Sequence, residues 1–263
     1  MSKSRWKLQI AGLLLTLTHF GASAQELTVR PIGDRLESGA VLRVDLSRFD
    51  ISIAATSRIN GFSSQAPTLE SFAFIATKNQ SSLSNFAALS GGFSNYDPME
   101  PSGLLVENGR ILSPLARKTE NLSGILCINR RGAARILYTA DYLDRERDCQ
   151  WAIQGGPLVV EPGREAIGRN TREKSMYRRI IACETTDPNL FEFYIFERAD
   201  LRDVEDALKP RCRIALNLTG DVQAGMLVSN ERGARSIFGS SKSPLASIIF
   251  IKPRDSRNPI QNR

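Results

Sequence analysis

Three stretches of this chain interrupt an apolar run with glycine and polar side chains: "ALSGGF" at 88–93, "AIQGGPLVV" at 152–160 and "ALNLTGDVQAG" at 215–225. Each is either a plain turn or a place where backbone must come close to something bound. Amides beside Gly91-Gly92, Gly155-Gly156 and Gly220 have the character of a polar pocket in which oxyanions approach closely. A lone Gly-Gly is more often a bulge or bend, so the weight rests on three such breaks in one chain. The chemistry available is narrow. The one histidine, His19, falls in the first 24 residues, so residues 25–263 hold no Ser-His-Asp or Cys-His arrangement and no histidine-ligated zinc. Catalysis would have to use carboxylates, Arg, Lys, Tyr, Ser or Thr hydroxyls, or backbone amides.

Residues 1–24 read as a cleaved secretory signal: Lys3, Arg5 and Lys7, an apolar run from Ile10 to Phe20, then Ala22-Ser23-Ala24 before Gln25. The run is short for a bilayer, and no later segment is long and apolar enough to cross one. Without that segment 239 residues remain and the formal net charge falls from +7 to +4. Such a mild excess suits an anionic ligand and does not argue for nucleic acid. Cys127, Cys149, Cys183 and Cys212 all lie in the remaining chain, and an even count in an oxidising compartment predicts two disulfides. Of the three possible pairings, Cys127–Cys149 and Cys183–Cys212 are expected. The first pair flanks a hairpin and its return strand, and the second lies in strands that a helical crossover brings side by side. No close Cys spacing suggests a metal; a divalent cation held by other groups stays open. The expected location is secreted or periplasmic.

Short strand-like runs dominate 41–251, among them Phe72–Ala76, Ala87–Ser90, Ile125–Ile128, Trp151–Gln154, Ile180–Cys183, Phe191–Phe196 and Arg213–Leu218. "LLVENGRIL", "LCINRRGAARIL" and "LVSNERGARSI" read as hairpins with Gly at the turn, their arginines as solvated edge residues. "ADLRDVEDALKP" predicts a helix: Asp200 caps it, Leu201, Val204 and Leu208 share a face, and Pro210 ends it. A second, weaker helix is expected within "ATKNQSSLSNFAAL", a loop over 163–176, and a polar tail over 253–263. Strand, helix, strand in that order predicts a single α+β domain over 25–252, with β-rich mixed sheets and one or two crossover helices.

The order of these pieces over roughly residues 72–251, "ALSGGF", "GLLVENGRILSPL", "AIQGGPLVV", "RRIIAC", "LRDVEDAL" and "ALNLTGDVQAG", resembles the phosphodiester glycosidase family. A lysosomal member of that family removes N-acetylglucosamine from a sugar phosphodiester. The resemblance implies an exported hydrolase of sugar phosphodiesters or related envelope glycans, or a non-catalytic binder of such ligands on the same scaffold. The departures fall on the polar signature. Ser90 stands where the family has Asn, Thr219 where it has an acid, and Ala182 where the arginine-initiated strand has glycine. The matched positions imply a ligand site formed by Ser90, Gly91, Gly92, Gln154, Gly155, Gly156, Thr219 and Gly220. Arg178 would be its phosphate clamp, a guanidinium fork being suited to bidentate contact. Asp221, two residues beyond the vacated acid position, is the candidate acid/base, with Asp97, Glu100 and Glu184 behind it. The implied ligand is a sugar phosphate or other anionic glycan.

Overall fold

The computed structural model describes residues 27–31, 37–58, 67–72, 74, 85–96, 99–117, 121–145, 148–167 and 176–254. The segment read as a signal, residues 76–84 of the expected weaker helix, Asp97, residues 168–175 of the expected loop and the tail beyond Arg254 lie outside these.

Three large sheets share one core. The six-stranded sheet runs β1 (Thr28–Pro31), β2 (Glu37–Asp45), β14 (Leu190–Ala199), β13 (Tyr177–Thr185), β15 (Cys212–Gly220), β12 (Leu158–Val160). One five-stranded sheet runs β10 (Ala134–Tyr138), β9 (Gly124–Asn129), β11 (Cys149–Gly155), β7 (Leu105–Glu107), β8 (Arg110–Ser113). The other runs β17 (Arg235–Gly239), β16 (Gly225–Ser229), β4 (Phe86–Ser90), β18 (Ser247–Pro253), β3 (Phe49–Ala55). The short pair β5 (Ser94–Tyr96) and β6 (Met99–Pro101) lies apart. Period-two alternation explains how the sheets share a core. Phe49, Ile51 and Ile53 of β3, Phe191, Phe193 and Ile195 of β14, and Leu216 and Leu218 of β15 enter one buried cluster with Leu126, Ile128 and Ile153. The far face of the six-stranded sheet, with Tyr194 and Phe196, is covered by Val204 and Leu208 of the helix Leu201–Leu208.

The α+β expectation with mixed sheets is overturned: every strand pairing among the described residues is antiparallel, and the protein is predominantly β. The helix after Asp200 does form, and the Asp200 carboxylate accepts from Arg202 N at 2.8 Å. The strands it joins, β14 and β15, are not neighbours, because β13 lies between them and pairs antiparallel with both. Phe86–Leu89, the end of the expected weaker helix, is strand. Conversely, the segment read as a strand from Phe72 begins as helix. Thr68 and Ser71 exchange backbone N–H and hydroxyl bonds there, at 2.8 and 3.2 Å, in the manner of a capping box.

The disulfides Cys127–Cys149 and Cys183–Cys212 are both present, with Cα separations of 5.4 and 5.5 Å. Each joins neighbouring strands of one sheet, β9 to β11 and β13 to β15.

Two edge strands end against carboxylates. Ile136 N of β10 donates to Glu184 Oε2 at 2.8 Å, and Glu184 also pairs with Arg213. Gly239 N of β17 donates to Glu197 Oε1 at 2.8 Å, and Glu197 Oε2 pairs with Arg178 Nε at 2.8 Å. In both, a side chain of the six-stranded sheet stands where the next strand's carbonyl would be.

Candidate functional site

The three glycine segments meet, and they do so by backbone approach. Gly91 N donates to Ser247 O at 3.0 Å, and a Cβ at Gly91 would lie 2.1 Å from Ser247 Oγ. A Cβ at Gly92 would lie 2.9 Å from Gln154 O. Gly156 N donates to Asn217 O at 2.7 Å, and Asn217 N donates to Pro157 O at 3.1 Å. The second segment is thereby sewn to β15 just before Thr219-Gly220. Ser90 Oγ donates to Gln223 O at 2.5 Å and accepts from Gly225 N at 3.1 Å. This ties the first segment to the turn Asp221–Gln223.

The structure divides the expected ligand residues by whether their hydrogen bonds are spent. Gln154 is 2% exposed. Its Oε1 accepts from Leu104 N and Ala116 N at 3.0 Å, and its Nε2 donates to Ala116 O and Leu122 O at 2.9 Å. An amide side chain has two donors and two acceptor lone pairs, so these four bonds saturate it. Gln154 therefore holds Leu104, Ala116 and Leu122 against β11. Ser90 is likewise committed to the 223–225 backbone. Arg178 gives its Nε to Glu197, and its Cδ would lie 2.8 Å from a Cβ at Gly239. Its carbonyl is 3.1 Å from where a Cβ of Gly220 would stand. Arg178 thus meets Gly220 with its backbone, and its side chain, about a third exposed, reaches the Gly239 end of β17 beside Ala224 of the third segment. Glu197→Ala removes the acceptor of both Gly239 N and Arg178. It is expected to lower stability by about 1–3 kcal/mol, read as a shift of the urea midpoint without a change in slope.

Asp221 sits on the exposed face of the turn at φ +56°, a left-handed conformation uncommon for a residue with a side chain. Glu184 is engaged by Ile136 N and Arg213, and Glu100 is exposed in β6.

Two buried groups have spare capacity. Asn217 and Thr219, each 1% exposed, leave Asn217 Oδ1 and Thr219 Oγ1 with no hydrogen-bond partner. The Asn217 amide is oriented by Nδ2, which donates to Gly156 O at 3.0 Å. Sequence reasoning passed over Asn217. The available signal was a polar side chain held between Leu216 and Leu218 in a buried strand. Arg179, the neighbour of Arg178 on the opposite face, is also buried; its Nε donates to Ala199 O at 3.0 Å. Desolvation lowers the pKa of its guanidinium from the ordinary arginine value, against the opposing pull of Asp200. Among the described residues no group of three or more His, Cys, Asp or Glu side chains is placed to hold a metal ion.

No curated protein matches the chain. Among solved structures, a hypothetical protein from Synechocystis aligns with a TM-score of 0.52 at 10% identity, over 86% of this chain and 61% of that one. A Burkholderia pseudomallei K96243 chain named as an exported protein aligns with a TM-score of 0.57 at 10% identity, over 82% and 74%. At such identities these neighbours establish the fold alone. The phosphodiester glycosidase family model matches residues 85–252, from the start of β4 to the last strand. That span carries all three glycine segments and both disulfides, and the chain belongs to the phosphodiester glycosidase family.

Proposed function

We propose that this protein is an exported hydrolase, secreted or periplasmic, that cleaves sugar phosphodiesters or related envelope glycans where the three glycine segments meet. The observation that carries the reading is the pair of buried, unpartnered oxygens on β15, Asn217 Oδ1 and Thr219 Oγ1. Buried polar atoms are nearly always partnered, and each one left bare costs about 1–3 kcal/mol. A sugar phosphodiester that reached β15 would offer a partner to either one. Asn217 Oδ1 can accept from a sugar hydroxyl, and the Thr219 hydroxyl can donate to a phosphate oxygen. In this reading Glu197 fixes Arg178 through Nε and leaves its terminal amino groups for the phosphate charge. Asp221 serves as the acid that assists the leaving oxygen.

A second reading, a non-catalytic binder of the same ligands, is favoured by one substitution. Thr219 occupies the place of the family acid, and a hydroxyl cannot supply a proton as a carboxylic acid does. The test is release of sugar from a synthetic sugar phosphodiester by the purified mature protein, with and without divalent cations. Asn217→Ala and Thr219→Val should each abolish the ligand-induced rise in Tm under either reading. Turnover by the unmodified protein supports the hydrolase. A Tm shift without turnover supports the binder, in which case Thr219→Asp is expected to create hydrolysis.

A further inference from the structure

Two hairpins of this protein are built on one plan. Residues 124–133 and 225–234 are identical at six of ten positions, and both contain Asn-x-Arg-Gly-Ala. The turns agree in their bonds. Asn129 Oδ1 accepts from Arg131 N and Ala133 N at 2.9 and 3.0 Å. Asn230 Oδ1 accepts from Arg232 N and Ala234 N at 3.0 and 2.9 Å. Gly132 and Gly233 have φ of +81° and +77°, where a side chain would be strained. What the two turns share is what the turn requires; where they differ, the fold is indifferent.

They differ in charge. Arg130 and Arg135 of the first hairpin correspond to Glu231 and Ser236 of the second. With Arg131 they line a cavity of about 490 Å³ beside Cys127, in which Asp148 is the one acid among the described lining residues. All three arginines are exposed. Among the described residues none has a carboxylate partner, although Arg43, Arg178, Arg213 and Arg254 all do. Arg130 and Arg131 lie beyond the Asn129 end of β9 and Arg135 lies opposite Cys127, whereas Gly124 at the other end pairs with Gly155. At the rise of an extended strand Cys127 and Asn129 are about 10 and 17 Å from Gly124, so the arginine-bearing end of the groove is set apart from the glycine junction.

We propose that this groove is a second anion site, which holds phosphates of an extended, phosphate-bearing envelope polymer. Guanidinium forks lining one cavity suit phosphate oxygens. A foothold a strand's length from the junction keeps the polymer near it by effective concentration. The choice of phosphate over carboxylate rests on the reading of the junction as a phosphodiester site, while the site itself rests on three exposed arginines lining one cavity.

The test transplants the second hairpin's residues into the first, as Arg130→Glu with Arg135→Ser. The same turn already folds with those residues, and Arg135→Ser alone serves should the pair lower Tm. Binding is measured to poly(glycerol phosphate), to polygalacturonate and to phosphatidylglycerol vesicles, alongside the rate on a small sugar phosphodiester. The unmodified protein should bind poly(glycerol phosphate) with affinity that falls as salt rises. The variant should bind it about tenfold more weakly or worse, with an unchanged rate on the small diester. Polymer binding without hydrolysis of the diester would defeat the hydrolase reading of the junction and leave this site standing. Equal binding by the variant overturns the proposal, as does equal or tighter binding of polygalacturonate or of the vesicles.

Discussion

Gly156→Ala should leave little folded protein. A Cβ at this position would lie 1.9 Å from Asn121 O and 2.7 Å from Ser123 N, and both are backbone atoms that no side-chain rotation moves aside. Overpacking of a well-packed interior ordinarily costs about 1–3 kcal/mol, and a collision with two backbone groups belongs at or beyond the top of that range. Relief by shifting Gly156 would pull its N–H from Asn217 O and its carbonyl from Asn217 Nδ2. Whatever variant survives should therefore also lose the orientation of Asn217. The matched control is Gly220→Ala. Its φ is −149° and its nearest contact would be Arg178 O at 3.1 Å, so a cost below about 1 kcal/mol is expected. Thermal unfolding of the two variants side by side checks the pair. Equal Tm values would show that the tight approach at Gly156 is readily relieved.

Asp221→Asn carries the largest expected effect on chemistry. Asparagine tolerates the left-handed conformation as well as aspartate does, so the exchange at φ +56° should leave Tm unchanged. A positioned general acid or base contributes roughly 10²–10⁴-fold, and kcat on a sugar phosphodiester should fall by that factor. Arg178→Ala should instead raise KM, together with a stability loss from releasing Glu197. Should the protein only bind, Asp221→Asn will leave affinity nearly intact. Turnover surviving both substitutions would remove Asp221 from the mechanism. Attention would then pass to Asp97 and the exposed Glu100, because Glu184 is already held by Ile136 N and Arg213.

Strands were legible where alternation is strong, as in β14 and β15, and so were the helix capped by Asp200 and both disulfide pairings. β3 has the same alternation, with Phe49, Ile51 and Ile53 at every second position, but the small Ser52 and Ala54 between them blur the contrast. The insertion of β13 between β14 and β15 was not legible, because pairing partners are chosen by contacts distant in sequence. This one choice turned an expected mixed sheet into an antiparallel one. At the candidate site, glycine spacing pointed to close backbone approach but could not say what does the approaching. Much of what comes close proved to be the chain itself. For Gln154, nothing local distinguishes an amide that binds ligand from one saturated by Leu104, Ala116 and Leu122. The unpartnered Asn217 is the converse: its importance appears only when its surroundings are known to lack a partner for it.

The carboxylates of Glu184 and Glu197, set against the edges of β10 and β17, bear on how this chain behaves in a crowd. An open strand edge is a template for another molecule's strand, most of all among crowded and incompletely folded chains. An incoming strand would have to displace a charged group already bound to an arginine and to the edge N–H itself. The same carboxylates that knit sheet to sheet thereby act as chain terminators, and they favour discrete molecules over fibrils or aggregates.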